Sequence, residues 1–508
     1  MTTSNDDIRP YLSDASAITG GVADEVLFPR TEEELAAIVA DRIGRGIPIT
    51  VAGGGTGLVG GRVPFGGTVI STARMDRIGE LDTVRSTVDV EPGVPLFRIH
   101  AWAAERNLLY PPDPTETGGF IGGNIATNAS GARTFRYGPT RSWITALRVV
   151  LASGEILDLH RGDVDVVDRT AHLRAESGRT IDLSLPEIWR PDVRKNAAGY
   201  YLAPGMDGLD LFIGSEGTLG VVTRATLRLV PAPEKLFSGI VFFADEERML
   251  DFVDEVRERS LANRGEAGHL DAIGIEGRID SRAIEFIDAN ALKAVRHLHP
   301  TIPTDADGGA IWFEQECTAE NETVLLEAWY DVIERHTPLM DASWFGIEEQ
   351  DHARMRAFRH TIPSTAFEIY TSRRMRKFGT DMAVPVDRFR EMFRFYREGL
   401  TASGLEHMTW GHIGDAHLHV NLLPRDAAEA EVAAELFDRF IAEAIALGGT
   451  VSAEHGIGKL KRNYLREMYG DEIIRVMRRI KRSLDPSGLL GKGTMFEDEE
   501  ISSAVGRV

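Results

Sequence analysis

The stretch Ile47-Pro-Ile-Thr-Val-Ala-Gly-Gly-Gly-Thr-Gly-Leu-Val-Gly-Gly61 sets the expectation for the fold of the first half of the chain. Residues 47–52 predict a strand, and the nine residues after it include six glycines. Glycine leaves backbone N–H groups free to approach a ligand closely, as phosphate cradles require. The run therefore predicts a phosphate-binding loop, with a purely structural glycine turn as the alternative.

The loop also matches the G-x-G-x-x-G pattern of nicotinamide-binding proteins, in residues 55–60. In those proteins the motif opens a helix. Here Pro64 and the pair Gly66-Gly67 follow, and both disfavour a helix. A Rossmann nicotinamide site is thus disfavoured. Before the strand, residues 31–43 predict a helix capped by Thr31.

Two more glycine-rich tracts follow along the chain. Residues 110–133 combine Gly, Thr and Asn at a density too high for a core helix, which suits a long buried ligand that takes many backbone and amide hydrogen bonds. Residues 214–223 run from a glycine loop into a predicted strand. Residues 146–158 between them predict a hairpin.

The composition fits a soluble enzyme of two or three domains, with 508 residues, 43% of them hydrophobic and 27% charged. A net charge of −21 disfavours nucleic-acid binding and docking onto anionic lipid. The polar start does not match a secretory signal, and no apolar run is long enough to span a membrane. A single cysteine, Cys317, excludes an intrachain disulfide or a four-cysteine cluster. We expect a cytoplasmic location, with peripheral membrane association left open.

These three tracts, with Lys195-Asn-Ala-Ala-Gly-Tyr-Tyr-Leu202 between them, resemble the FAD-binding domain of the vanillyl-alcohol oxidase/p-cresol methylhydroxylase superfamily. The resemblance covers roughly residues 20–230 and implies FAD, with the first glycine loop on the pyrophosphate and the second tract along the flavin. Its implied cofactor-binding residues are Gly53, Gly54, Gly55, Thr56, Gly57, Leu58, Pro112, Thr115, Gly118, Gly122, Gly123, Asn124, Thr127, Asn128, Gly131, Tyr137, Glu216, Gly217, Gly220 and Val221.

The second half predicts an α+β substrate domain with an antiparallel sheet. Its predicted elements are a strand at 310–316 and helices at 246–259, 280–298, 320–336, 427–447 and 459–481. We expect an α+β chain of three parts, namely a two-part FAD-binding domain (1–232), a substrate- and metal-binding domain (233–452) and a C-terminal helical segment (453–508) that completes the active site.

Histidines concentrate in Trp410-Gly-His-Ile-Gly-Asp-Ala-His-Leu-His-Val-Asn421. If 417–421 is a strand, His417, His419 and Asn421 share one face, and a turn at the glycines brings His412 beside them. Imidazoles grouped in this way bind a zinc-like ion, although a strand whose histidines bond to the backbone is the plainer alternative. Downstream, Glu454 and His455 are adjacent and would face opposite ways in an extended segment.

The motifs Gly411-His-Ile-Gly-Asp415 with Leu418-His419, Ser452-Ala-Glu-His-Gly456 and Asp381-Met-Ala-Val-Pro385 resemble the C-terminal domain of FAD-linked D-2-hydroxyacid dehydrogenases. The resemblance implies His412, His419 and Glu454 as ligands of a divalent metal, with zinc favoured over manganese or iron. It implies His455 as the base, and Arg359 and Lys377 as carboxylate-binding residues. Two departures are Ala416-His417, where the family usually has Gly-Asn, and Gly491-Lys-Gly-Thr494 near the C-terminus.

The expected reaction is the FAD-dependent oxidation of a D-2-hydroxy acid, such as D-lactate or D-2-hydroxyglutarate, to the 2-oxo acid. The metal would act as a Lewis acid while hydride passes to flavin N5 and the proton to His455. Arg373, Arg374 and Arg376 are candidates for a second substrate carboxylate, with a solvated face as the alternative. Electrons would leave to a quinone, an electron-transfer flavoprotein, a separate subunit or oxygen, and a homodimer is left open. The competing hypotheses are a zinc hydrolase and a non-catalytic binding protein.

Overall fold

The computed structural model describes residues 8–164, 166, 169–264 and 278–497. The outer limits of the expected first and last domains, residues 1 and 508, lie outside this range. The helices and strands of the first half are α1 (Glu32–Gly44), α2 (Leu96–Ala104), α3 (Ile121–Thr127), α4 (Thr134–Tyr137), β1 (Glu25–Leu27), β2 (Ile49–Ala52), β3 (Thr68–Ser71), β4 (Ile78–Asp82), β5 (Thr87–Val90), β6 (Leu108–Leu109), β7 (Ile144–Val150), β8 (Ile156–His160), β9 (Thr170–Arg174), β10 (Thr180–Ser184), β11 (Val221–Arg228) and β12 (Val230–Pro231).

The first half contains a small parallel sheet and a larger antiparallel one. The parallel sheet has the order β1-β3-β2, and the antiparallel sheet has the order β4-β5-β11-β7-β8. Thr31 caps α1 by accepting the N–H of Glu34, as the sequence predicts. The apolar face of α1 packs on both sheets, with Leu35 and Val39 fully buried beside Ile49. This packing fixes β2, the strand from which the first glycine loop emerges.

The second half is built on one seven-stranded antiparallel sheet, in the order β16-β13-β15-β14-β18-β19-β17. Its strands and helices are β13 (Lys235–Phe243), β14 (Ser281–Ile287), β15 (Gly309–Cys317), β16 (Trp344–Gly346), β17 (Phe378–Gly379), β18 (His407–Gly411), β19 (His419–Leu422), α5 (Glu246–Arg264), α6 (Ala289–Val295), α7 (Glu322–His336), α8 (Glu349–Arg373), α9 (Phe389–Ser403), α10 (Ala427–Ala446) and α11 (Arg462–Leu484). The α+β class and the antiparallel sheet are confirmed.

Two predicted elements are wrong. Residues 280–298 form the strand β14 followed by α6, not one helix. Arg282 and Glu285 of β14 are buried, where Arg282 pairs with Glu314 and Glu285 pairs with His412. The tract 110–133, judged too rich in Gly, Thr and Asn for a core helix, contains the short helix α3, in which Ile121 and Ile125 are both fully buried on one side.

The C-terminal segment packs back onto the first half. Lys481 on α11 is fully buried and donates to the carbonyl of Thr218 at 2.5 Å and to Asp485 at 2.6 Å. Leu490 forms a parallel bridge with Ile49, at the edge of β2. No helix in the described ranges is both long enough and apolar enough to cross a membrane.

Candidate active site

A cavity of about 490 Å³ lies where the first glycine loop, the 110–133 tract and the histidine-rich stretch meet. It is therefore built from both halves of the chain. The predicted site residues that line it are Gly55, Thr56, Gly57, Leu58, Thr115, Asn124, Thr127, Arg359, Lys377, His412, His419, Glu454 and His455. The volume and the mixture of glycine backbone with a few polar side chains are typical of a cofactor and substrate site.

The first glycine loop fits the phosphate part of a dinucleotide. Within the described residues, no backbone acceptor receives the N–H groups of residues 54–58. A side chain at Gly57 or at Gly123 would meet nothing within 4 Å, so both glycines border open space. Backbone donors beside open space are what a phosphate cradle needs. Residues 61–67 then lead into β3 without a helix, as expected from Pro64.

Some predicted cofactor-binding residues do not line this cavity. Several of these glycines lie at close packing contacts. An added Cβ would lie 2.9 Å from Gly118 O at Gly54, 2.7 Å from Pro92 at Gly122, and 2.4 Å from Val149 at Gly220. The Tyr137 hydroxyl donates to Glu316 inside the core. The full set outside the cavity lining is Gly53, Gly54, Pro112, Gly118, Gly122, Gly123, Asn128, Gly131, Tyr137, Glu216, Gly217, Gly220 and Val221.

The three predicted metal ligands converge. Glu454 Oε1 lies 3.3 Å from His412 Nε2 and 3.2 Å from His419 Nε2. A tetrahedral ion with bonds of about 2.0–2.1 Å separates its ligand atoms by about 3.3 Å, so these spacings fit a shared ion. The other ring nitrogens are taken, because His412 Nδ1 lies 2.7 Å from Glu285 Oε1 and His419 Nδ1 lies 2.9 Å from the Thr380 carbonyl. Such contacts turn both Nε2 atoms toward the centre.

Charged groups of opposite sign lie close together around this centre and shift one another's pKa values. Burial disfavours the charged form of His412, but Glu285 and Glu454 outweigh it and raise the pKa of His412 to about 9. Burial likewise opposes ionisation of Glu285, yet His412 and Arg359 lower its pKa to about 2. Glu454 stays ionised because Lys195 and His412 overcome its burial and hold its pKa well below the usual range. A dication would displace the His412 proton.

His455, the predicted base, lies on the loop after Glu454. Both side chains reach the same cavity, so the expectation that they face opposite ways is wrong, because residues 453–458 form a loop and not a strand. Asp381 orients His455: its carboxylate lies 3.3 Å from His455 Nδ1 and accepts the backbone N–H at 3.1 Å. Burial, opposed by Asp381, lowers the pKa of His455 to about 3, so the ring is neutral at pH 7.

The two predicted carboxylate-binding residues also border the cavity. Arg359 on α8 donates to Glu285 at 3.1 Å and its guanidinium lies 5.0 Å from the Trp312 ring. Burial lowers the pKa of Lys377, opposed by Asp381 and Glu454. Lys377 and His455 also line an adjoining cavity of about 280 Å³.

Only one of the three arginines proposed for a second carboxylate reaches a cavity. Arg376 lines the 280 Å³ space and stacks over Phe378 at 4.3 Å. Arg373 donates hydrogen bonds to the Leu423 carbonyl and to the Glu406 carboxylate, each at 2.6 Å. Arg374 has a positive φ of 56° at the end of α8.

Glu216, from the third glycine-rich tract, anchors the loop that carries Glu454 and His455. Its carboxylate accepts the backbone N–H groups of Ile457 and Gly458, each at 2.7 Å. Gly456 has a positive φ of 83°, and a Cβ there would lie 3.1 Å from the Glu216 carboxylate. Glu216 thus acts on the site through this loop, although it does not line the cavity.

Sequence reasoning missed Glu285, Lys195 and Asp381 as parts of the centre. Lys195 and Asp381 stood inside the motifs quoted for the resemblance, which was the available signal. Glu285 carried none, because its strand was taken for a helix. All three hold a predicted site residue in place, since Glu285 bonds His412, Lys195 bonds Glu454 and Asp381 bonds His455.

The fold and this cavity define an FAD-linked oxidoreductase. Residues 23–160 match the family model of the FAD-binding domain, and residues 271–495 match that of the C-terminal domain of FAD-linked oxidases. The chain belongs to the FAD-linked D-2-hydroxyacid dehydrogenase family. Membership of this family supports an oxidoreductase over the competing zinc-hydrolase and non-catalytic hypotheses.

Two relatives match nearly the whole chain. It is 30% identical to the D-lactate dehydrogenase of Anaerostipes hadrus, over 95% of this chain and 92% of that protein. It is 32% identical to the D-2-hydroxyglutarate dehydrogenase of Xanthomonas citri pv. viticola, over 94% and 90%. A solved structure of alkyldihydroxyacetonephosphate synthase shares the fold, with a TM-score of 0.60, 15% identity, and coverage of 93% of this chain and 77% of that one.

Proposed function

We propose that this protein oxidises a D-2-hydroxy acid to the corresponding 2-oxo acid with the help of a divalent metal. The observation that carries the proposal is the single cavity shared by the glycine loop, Arg359, Lys377, His455 and the His412–His419–Glu454 cluster. A hydroxy acid needs a cationic site for its carboxylate and a base for its hydroxyl, and this cavity has both.

His455 takes the proton of the 2-hydroxyl group. The Asp381 carboxylate, 3.3 Å from His455 Nδ1, holds the ring so that Nε2 is available as the base. Arg359 and Lys377 pair with the substrate carboxylate and fix the orientation of the C2 carbon. FAD, when bound, supplies the two-electron oxidant for the carbon that loses hydride.

His412, His419 and Glu454 would hold the metal, which supplies a Lewis acid that lowers the pKa of a hydroxyl group. The spacings of 3.2–3.3 Å between their donor atoms support this assignment. The set of two imidazoles and one carboxylate favours zinc, with manganese or iron as alternatives.

The substrate is proposed to be like D-lactate or D-2-hydroxyglutarate, as the names of the relatives suggest. The adjoining 280 Å³ cavity with Arg376 supports room for a second carboxylate. We further propose a cytoplasmic location, and a quinone, an electron-transfer flavoprotein or a separate subunit as the electron acceptor.

A visible spectrum of the purified holoprotein under anaerobic conditions tests the proposal. Addition of D-lactate, D-2-hydroxyglutarate or D-glycerate should bleach the oxidised flavin bands, whereas the L-enantiomers should not. The relative rates identify the substrate and show whether a second carboxylate improves it. Flavin that stays oxidised with every D-2-hydroxy acid would contradict the proposal.

A further inference from the structure

His417 is a fully buried histidine beside Asp381. It is 0% exposed, and neither Nδ1 nor Nε2 makes a hydrogen bond with any described residue. Nε2 lies 3.3 Å from Asp381 Oδ1, without the alignment of a hydrogen bond. Leaving a buried polar group unsatisfied is unfavourable, so such a group in a native fold calls for a ligand or another explanation.

The position of His417 follows from the turn between β18 and β19. His417 forms an isolated bridge with Ala383, two residues before β19 begins at His419, so it lies outside that strand. Ala416 has a positive φ of 54°, and the His417 N–H returns to the His412 carbonyl at 3.2 Å. The turn brings the three imidazoles together, with the His417 ring centroid 4.6 Å from that of His419 and 5.2 Å from that of His412.

The donor atoms of this turn converge with Glu454. One ligand-capable atom from each of His412, His417, His419 and Glu454 lies within 4.8 Å of the other three. Because neither ring nitrogen of His417 is taken by a hydrogen bond within the described residues, one of them can offer its lone pair to a metal ion.

We propose that His417 is a fourth protein ligand of the divalent ion held by His412, His419 and Glu454. The inference rests on the metal site of the proposed function. Three neutral imidazoles and one carboxylate form a nitrogen-rich set, which suits zinc better than manganese. Four protein ligands also complete a tetrahedral zinc site, so substrate binding then requires a fifth coordination position.

The test compares the zinc-loaded holoprotein with His417→Asn and His417→Gln. X-ray absorption at the zinc edge counts the bound imidazoles, and competition with a chromophoric chelator measures zinc and manganese affinity. We expect three imidazoles in the wild type and two in each variant. The zinc dissociation constant should rise by more than about 100-fold, which exceeds the effect of about 10–100-fold for a residue that only orients a ligand. Manganese affinity should change less.

His299→Asn is the matched control, because His299 is a partly buried histidine outside the cluster. This variant should keep the imidazole count and the zinc and manganese affinities of the wild type. Retention of FAD confirms that each variant is folded. If His417→Asn does not fold, His417→Gln provides the comparison. An unchanged imidazole count and zinc affinity in a folded His417 variant would overturn this inference alone. A wild-type holoprotein that binds no zinc would overturn both the inference and the proposed metal site, whereas flavin bleaching by a D-2-hydroxy acid would still test the oxidation itself.

Discussion

Lys195 Nζ donates to Glu454 Oε2 across 3.2 Å, although 259 positions separate the two residues in the sequence. Lys195 is 0% exposed, and Ser130 Oγ donates to the same carboxylate oxygen at 3.1 Å. These two donors occupy Oε2 and leave Oε1 facing His412 and His419. The first half of the chain therefore sets the orientation of a candidate metal ligand that the C-terminal segment supplies.

Replacing Lys195 with Met should destabilise the protein and weaken metal binding. Removing one partner of a buried ion pair costs about 3–5 kcal/mol, because the other charge stays buried. Chemical unfolding of the holoprotein and its zinc content measure the two effects. Ser130→Ala, which removes only a neutral donor, should cost about 1 kcal/mol. Equal losses in both variants would contradict a role for the Lys195 charge.

Replacing His455 with Ala should slow flavin reduction by about 10²–10⁴-fold, which is the usual contribution of a general base. FAD should stay bound, because His455 is expected to act on the substrate hydroxyl. Stopped-flow bleaching with the best D-2-hydroxy acid measures the rate, and His299→Ala is the control. An unchanged rate in the His455 variant would rule out its assignment as the base.

Replacing Glu285 with Gln should lower metal affinity by about 10–100-fold, as is usual for residues that bond a metal-bound histidine. The Glu285 carboxylate lies 2.7 Å from His412 Nδ1 and fixes which nitrogen faces the centre. Chelator competition measures the affinity. Glu314→Gln, at a buried acid paired with Arg282 instead, should leave it unchanged.

Chelation of the metal should lower the rate of substrate oxidation without releasing FAD. The two sites use different residues, since the glycine loop faces the cofactor side of the cavity and the histidines lie on the second half. The flavin spectrum and turnover are recorded before and after dialysis against chelator, and zinc is then added back. Full activity after complete metal removal would show that the cluster is structural.

Replacing Glu216 with Gln should alter the pH dependence of stability. Burial, opposed by the N–H groups of Ile457 and Gly458, raises the pKa of Glu216 to about 7. The folded protein then keeps a proton that the unfolded chain releases near the ordinary glutamate pKa of 4.5, so the free energy of unfolding falls as pH rises between these values. The limit is about 1.4 kcal/mol per pH unit. Urea unfolding at pH 5 and pH 7.5 should show a smaller difference in the variant, and an identical difference would contradict the assignment.

The sequence predicted local features well because their causes are local. Thr31 with the acidic turn after it defines the start of α1, and Pro64 excludes a helix after the glycine loop. The approach of His412 to His419 was predicted from Gly411 and Gly414. By contrast, the contact of Glu285 with His412 depends on the pairing of β14 with β18, which no local pattern encodes.

The position of His417 shows the same limit. Strict alternation along 417–421 predicted that His417 belongs to the same strand as His419. In the structure His417 lies outside that strand, in an isolated bridge with Ala383, which also bridges Thr450. Asp381 reaches Glu454 and His455 through the same long-range contacts. Such contacts are set by how the halves pack, and the residue types alone do not reveal them.

The bridge between Leu490 and Ile49 affects when the first half of the chain can finish folding during synthesis. The edge of β2, which leads into the glycine loop, is covered by a residue that the ribosome makes only after the whole seven-stranded sheet. A nascent chain thus carries an open strand edge throughout the synthesis of its second half, and open edges invite aggregation. We expect stable cofactor loading to follow translation, and early termination before Leu490 to yield a chain that depends on chaperones.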